Sequence, residues 1–159
     1  MLVGIKDIQI VDFKPEFSTA FKTLNQWWIE SYFIMEPSDY TILNHPQSEV
    51  IDKGGVILFA IIDNAPVGVC ALIKSKVKDY NFELAKMGVH PDWHGQGIGW
   101  KLGKACLEKA KALGARTVFL ESNTKLEVAM YLYKKLGFRK VDSFPTPDDR
   151  CNIQMLVEL

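Results

Sequence analysis

The residues best placed to do chemistry form one short run, His94-Gly95-Gln96-Gly97-Ile98-Gly99-Trp100. It follows an apolar segment that ends at Val89 and opens an amphipathic one. Three glycines at alternate positions let a backbone turn sharply and approach a ligand with no Cβ in the way. A helix beginning at Gly97 aims its unpaired N–H groups and the positive end of its dipole at the same place. The turn therefore reads as a cradle for an anion, phosphate above all. Spacing weighs against two other glycine loops. A dinucleotide fingerprint needs a third glycine where Leu102 stands and leaves its strand at once, whereas five residues separate Val89 from Gly95. Glu121 does lie near the position of a ribose-binding acid, which keeps a nicotinamide or flavin site as a minor alternative. A triphosphate loop fails because Ala105, after Gly103-Lys104, offers no hydroxyl for Mg²⁺.

Single residues elsewhere admit two readings each. Glu83 is a charge inside an otherwise apolar segment. Burial would raise its pKa toward the range of a general base; the alternative is an edge carboxylate paired with Lys86 or Lys74. Tyr133 shares one helical stripe with Leu126, Ala129, Met130 and Leu136, which by pattern alone makes it a core residue. His90 and His94 lie in a turn with no cysteine or carboxylate arranged around them and read as solvated turn residues, so no metal is expected. Cys70, Cys106 and Cys151 are odd in number, far apart and in apolar settings, which predicts reduced, buried thiols rather than a disulfide framework.

The elements that must position these residues follow from composition and periodicity. With 159 residues, 48% hydrophobic and 24% charged, the chain fits a single domain over 1–159 with one core. A formal net charge of zero without long like-charge runs excludes the basic footprint of a nucleic-acid binder and gives no polybasic case for membranes. No stretch approaches the ~20 apolar residues of a membrane span, and charge interrupts the start before a signal peptide could form; a cytoplasmic protein is expected. Ile5 to Phe13 suits a first strand. Phe17, Phe21, Leu24, Trp28 and Tyr32 then recur at helical spacing over Glu16 to Phe33, with Pro15 in its tolerated first-turn position. Ser38 to Asn44 suggests a short second helix. Val56 to Ile62 and Val67 to Lys74, joined by Asp63-Asn64-Ala65-Pro66, read as an antiparallel hairpin, with Tyr80 to Val89 as the next strand. From Gly97, the residues Ile98, Leu102, Ala105, Cys106, Ala110 and Leu113 form one helical face ending at Gly114. Arg116 to Glu121 is a short buried-type strand. Thr124-Lys125-Leu126-Glu127 has capping-box spacing for a helix closed by Gly137, and Phe138 to Val141 and Asn152 to Val157 supply two last strands. Alternating strands and helices of this kind predict an α/β fold: a mixed sheet with helices on both faces, in which only the central strand–helix–strand unit is parallel.

Val89-His90-Pro91, His94-Gly95-Gln96-Gly97-Ile98-Gly99, Ser122-Asn123 and Ala129-x-x-Leu132-Tyr133-x-x-x-Gly137-Phe138 stand in the order and spacing of a known family. They closely resemble the GNAT superfamily of acetyl-CoA-dependent N-acetyltransferases, across about Glu83 to Phe138. One departure stands out: His94 occupies a slot where that family usually has Gln or Arg. The resemblance implies a GNAT-like, mostly antiparallel sheet of six to seven strands flanked by about four helices, splayed in a V between its two central parallel strands. It implies that amides of Gly95, Gln96, Gly97, Ile98 and Gly99, with Trp100, hold the pyrophosphate of acetyl-CoA. The pantetheine would lie between the strands ending at Val89 and at Glu121-Ser122. The Met87 amide would polarise the thioester carbonyl, and Asn123 would contact pantetheine or the amine. It turns Tyr133 from packing residue to acid for the leaving thiolate, and makes Glu83 or an ordered water the base. Trp27, Trp28, Tyr32, Asp39 and Tyr40 would line an acceptor pocket or simply pack, and only one of the adjacent tryptophans can face the core. The implied partner is a small-molecule or peptide amine, with a homodimer left open. The competing expectation is a non-catalytic acyl-CoA-binding or sensing module of the same fold.

Overall fold

The structure is a computed structural model and describes residues 7–159. Seven strands form one sheet in the order β1-β2-β3-β4-β5-β7-β6. They are β1 (Gln9–Asp12), β2 (Val56–Ile62), β3 (Ala65–Lys74), β4 (Phe82–Val89), β5 (Thr117–Ser122), β6 (Arg139–Lys140) and β7 (Ile153–Glu158). Four α-helices and one π-helical turn, Gln47–Ile51, accompany them: α1 (Ser18–Tyr32), α2 (Pro37–Asn44), α3 (Ile98–Ala112) and α4 (Glu127–Lys135). Every pairing is antiparallel except β4 with β5, the neighbours that flank α3 in sequence. The start of the strand expected from Ile5 lies outside the described residues. No helix of the described residues is long and apolar enough to cross a membrane.

Local chemistry accounts for most boundaries. The β2–β3 hairpin closes in two residues, Asp63 (φ 50) and Asn64 (φ 65), rather than the four expected, because these types tolerate the left-handed conformation a tight hairpin needs. β3 therefore starts at Ala65, and Pro66 sits beside a register shift in β2, where its missing N–H is harmless. α1 is preceded by a short 3-10 turn, Pro15–Phe17, and buries Phe21, Leu24, Asn25 and Ile29. Tyr32, expected on that stripe, is turned out and 55% exposed. α2 gains a reciprocal cap from Glu36 and Asp39, a feature its sequence did not announce. α3 buries Ile98, Leu102, Cys106 and Ala110 as expected, but Leu113 lies past its last turn and is exposed. The capping box expected at Thr124 does not form. α4 starts at Glu127 without a side-chain cap, and Thr124 instead exchanges two hydrogen bonds with the side chain of Asn152, on the approach to β7.

Two cores cover the sheet. On one face α3 and α4 pack over Leu58, Ala60, Cys70, Leu72, Phe82, Leu84, Val118, Leu120 and Met155. On the other, α1 and α2 pack over Ile57, Phe59, Ile61, Val69 and Ala71. Of the adjacent tryptophans, Trp28 packs into this second core while Trp27 is half exposed. At Gly88 in β4 the helix and sheet meet closely: a Cβ there would stand 2.7 Å from the Leu24 carbonyl oxygen of α1. A backbone carbonyl inside a helix cannot step aside. Gly88→Ala should therefore destabilise the fold by about 2–3 kcal/mol, lowering the thermal midpoint by roughly 5–10 °C. A midpoint unchanged in a scanning calorimeter would mean that α1 slides freely on β4.

Candidate active site

The parallel pair is short. β4 and β5 pair only at Phe82–Val118 and Glu83–Phe119. Its foot is pinned by Asn81, whose Oδ1 accepts from Arg116 N at 2.7 Å and Thr117 N at 3.1 Å. Beyond Glu83 the strands continue to Val89 and Ser122 without pairing, which is the V-shaped splay expected between them.

β4 is also bulged. Val69 pairs with Gly88 and Ala71 with Ala85, so Lys86 and Met87 share the place of one residue opposite Cys70. Lys86 has φ 52, in the left-handed region. The extra residue reverses the alternation of side chains. Leu84 faces the α3 core and Ala85 the other side, but Met87 and Val89 return to the α3 side while Gly88 lies under α1. Met87, in register with no residue of either neighbouring strand, sits 3.7 Å by its sulfur from the position a Cβ on Gly99 would take. The bulge and the glycine turn are thus in contact.

At the turn, Gly95 (φ 77) and Gly97 (φ 75) are left-handed, with open space where each Cβ would be. Gly97 caps α3, and Ile98 is already buried beneath it. Gly99 differs: it is helical, and a Cβ would approach Leu132 of α4 at 3.1 Å. His94 points back, its Nε2 2.8 Å from the Val89 carbonyl oxygen, so its ring ties the turn to the end of β4. His90 likewise serves its own turn, Nδ1 accepting from Asp92 N at 3.1 Å. Gln96 is exposed, and Trp100 is flanked by Lys104 Nζ at 4.9 Å and Lys135 Nζ at 5.7 Å from its ring. These lysines bring positive charge beside the glycine turn, a feature their sequence positions did not disclose. Among the described residues no group of three or more His, Cys, Asp or Glu could hold a metal ion.

The two candidate proton carriers lie on opposite sides of the sheet. Glu83, paired with Ile73 and flanked by core-facing Phe82 and Leu84, is on the α1–α2 side. Burial, reinforced by the Glu121 carboxylate, pushes its pKa up to about 7. Tyr133 is on the α4 side, its ring 6.2 Å from Phe138 in an edge contact. Burial drives its phenol well above the ordinary tyrosine value, and a hydrogen bond with the Ser122 side chain pulls only weakly the other way. Asn123 is engaged at both ends: Oδ1 accepts from Lys125 N and Nδ2 donates to the Arg150 carbonyl, each at 3.0 Å.

Sequence reasoning missed an ionic cluster on the Glu83 side. Asp39, fully buried, accepts from Lys86 Nζ at 2.7 Å and from the Arg150 guanidinium. Burial alone would raise its pKa, but these two cations hold it below the usual carboxylate value. Of the other suggested acceptor-side residues, Tyr32 offers its carbonyl to Lys125 Nζ at 2.9 Å, while Tyr40 is exposed.

The Glu83 shift carries a consequence for stability. The folded state keeps this proton up to about pH 7, whereas the unfolded chain releases it near 4.5, so stability falls as the pH rises across that interval. Glu83→Gln removes the titration. Its stability relative to the parent should improve by about 1–3 kcal/mol from near pH 5 to near pH 8, after allowance for partial solvent exposure. Urea unfolding at the two pH values measures this; a pH-independent difference would mean that the carboxyl ionises at its ordinary value.

The profile of the acetyltransferase (GNAT) family matches residues 21–138. The uncharacterised N-acetyltransferase YjgM of Escherichia coli K12 is 35% identical over 79 residues, covering 48% of this chain and 47% of that protein. This chain spans between about a third and two thirds of the length of the curated relatives it matches, and about half of YjgM. Among solved structures, a GNAT-family acetyltransferase of Staphylococcus aureus Mu50 superposes with a TM-score of 0.84 at 21% identity, over 96% of this chain and 99% of that one. The yncA protein of Salmonella typhimurium, solved with its cofactor acetyl-CoA, gives 0.77 at 16% identity, over 96% and 94%. At such identities the superpositions speak for the fold alone. The family profile spans well over half the sequence, from α1 to the end of α4 and through the splayed strands and the glycine turn, and the chain belongs to the GNAT acetyltransferase family.

Proposed function

We propose that this protein transfers an acetyl group from acetyl-CoA to a primary amine, on a small molecule or an exposed amino group, by direct attack in a ternary complex. The observation that carries the reading is the gap between β4 and β5, which holds the unpaired Met87 at its bulge and opens beside the glycine turn. The space over Gly95 and Gly97 fits a diphosphate. A Cβ built on either glycine would meet nothing within 4 Å, so the space is open, and the amides of Gly95, Gln96, Gly97, Ile98 and Gly99 would converge there on one anion at the start of α3. Trp100 and its two lysines add charge beside it. Acetyl-CoA, when bound, supplies the activated thioester; the chain's own groups orient it and move protons. Within the gap, the inner edges of Val89 and of Glu121-Ser122 would pair with extended amides as a sheet edge does. The Met87 N–H would donate to the thioester oxygen as negative charge develops there. Glu83, with a pKa of about 7, would take the ammonium proton on the α1–α2 side. Tyr133, held protonated by burial, would deliver a proton to the departing sulfur on the α4 side. Asn123 keeps the β5 arm in shape, and the second proton of its Nδ2 is the one it can offer to pantetheine or amine. His94 contributes through the strand end it fixes rather than as the Gln or Arg of the family would.

Acetyl-CoA consumption against amines, polyamines, amino acids and peptides tests the reading. Tight binding of acetyl-CoA without turnover on any of them would favour the binding-module alternative. Gly97→Val, forced into a left-handed conformation, should weaken acetyl-CoA at least tenfold by calorimetric titration in a protein that still folds; unchanged affinity would remove the cradle. Tyr133→Phe keeps the ring and the packing, so stability should change by no more than ~1 kcal/mol while kcat falls 10²- to 10⁴-fold. The parent's kcat/KM should rise with pH through about 7 and lose that dependence in Glu83→Gln. A Tyr133→Phe enzyme within a few-fold of the parent, with chemistry limiting, would make the phenol a core residue only.

A further inference from the structure

Lys86 is an unexpected residue at the centre of the bulge. An L side chain enters the left-handed region against steric resistance, and glycine, asparagine or aspartate is the usual choice there. Something outside the strand must hold it. Its ammonium reaches 2.7 Å to Asp39 Oδ1 on α2, and only 13% of the lysine side chain is exposed. The same oxygen accepts from Arg150, on the loop between β6 and β7, while Asp39 Oδ2 takes the Glu36 amide at 2.9 Å. Arg150 is tied in turn. Its Nη1 donates to the Ile34 carbonyl at 3.3 Å, and its own carbonyl accepts from Asn123 Nδ2, at the end of the β5 arm.

These contacts run without a break from one arm of the V to the other: Lys86 on β4, Asp39, Arg150, then Asn123 beyond β5. A buried carboxylate between two cations adds little net stability, because desolvation opposes the attraction. Geometry is what such a cluster can fix.

We propose that Asp39, Lys86 and Arg150 form a positioning brace across the mouth of the V. The brace holds residue 86 left-handed, so that the Met87 N–H faces the gap. It acts on the backbone. The Lys86 ammonium is engaged by Asp39 and is not offered to substrate. The inference rests on the acetyltransfer reading for its kinetic consequence but not for its structural one.

Two substitutions at one position separate the possibilities. Lys86→Ala keeps a Cβ and loses the anchor, so the bulge should relax. Lys86→Gly also loses the anchor, yet glycine accepts the left-handed backbone without resistance. The first measurement is the amide nitrogen shift of Met87 by NMR, which requires no turnover. It should move in Lys86→Ala and return toward the parent value in Lys86→Gly. With a working acceptor, kcat should fall tenfold or more in Lys86→Ala, with the acetyl-CoA dissociation constant within about threefold of the parent. It should recover to within threefold of the parent in Lys86→Gly. Asp39→Asn, which weakens the brace without touching β4, should move the Met87 signal in the same direction as Lys86→Ala, and serves if Lys86→Ala does not fold. An unmoved Met87 signal in both Lys86→Ala and Asp39→Asn would overturn the proposal. So would a Lys86→Gly enzyme as slow as Lys86→Ala, since the ammonium would then act directly. A parent that turns over no acceptor would overturn the acetyltransfer reading alone, leaving the brace to stand or fall on the Met87 signal.

Discussion

The parting of β4 from β5 after two paired positions is the constraint from which the site follows. In the middle of a sheet, strand edges normally satisfy each other's N–H and C=O groups, and buried backbone groups left without partners are costly. Here the Asn81 side chain clamps the foot of the pair, while the bulge at Lys86 turns β4 away above it. The result is two facing edges that a chain of amides could complete. The same parting puts the faces of the sheet in communication, so under the proposed acetyl transfer a base on the α1–α2 side and an acid on the α4 side would address one gap. Burial acts in one direction on both groups with different outcomes. It brings the Glu83 carboxyl to near neutrality, where it can accept and release a proton, and locks the Tyr133 phenol in its protonated form.

The charges divide into those that position and those that merely decorate. Lys109 with Asp12, Arg139 with Glu158 and Lys53 with Glu49 are exposed pairs whose attraction is largely offset by solvent and side-chain entropy. Asp39 differs because it has no exposure and joins segments distant in the chain. The loop between β6 and β7 folds back onto the sheet. Phe144 stacks edge-on against Tyr80 and Phe119, and Gln154 holds both its amide and its carbonyl. Arg150 is thereby delivered to Asp39 from an anchored loop rather than a free one.

The fold was legible in the sequence wherever a local rule governs. Sequence patterning marked the seven strands and α1 to α4, though not the helical turns at Gln47–Ile51 and Pro91–Trp93, and glycine spacing marked the turn before α3, because a left-handed backbone at Gly95, Gly97, Gly114 and Gly137 leaves a residue-type signature. Errors fell where tertiary partners outbid local ones. Thr124 caps no helix because Asn152 takes it, Tyr32 leaves its stripe, and Leu113 falls beyond the turn that would have buried it. The bulge could not be read, since Lys86 carries no sign of a left-handed backbone and the register that reveals it belongs to β3.

The cofactor side and the acceptor side also differ in how they are encoded. The anion binding proposed for Gly95 to Gly99 and the role proposed for the Met87 amide would both rest on main-chain features within one strand–turn–helix unit, which a short motif can specify. The α1–α2 side is assembled from side chains and carbonyls that meet across long separations: Lys125 with the Tyr32 carbonyl, Lys86 with Asp39, and Arg150 with both Ile34 and Asp39. No periodicity links such positions, and each can change type without disturbing the helix or loop that carries it. Under the proposed function, a cradle built from backbone and an acceptor wall built from distant side chains would therefore vary independently, and the family resemblance, strong over the first, says least about the second.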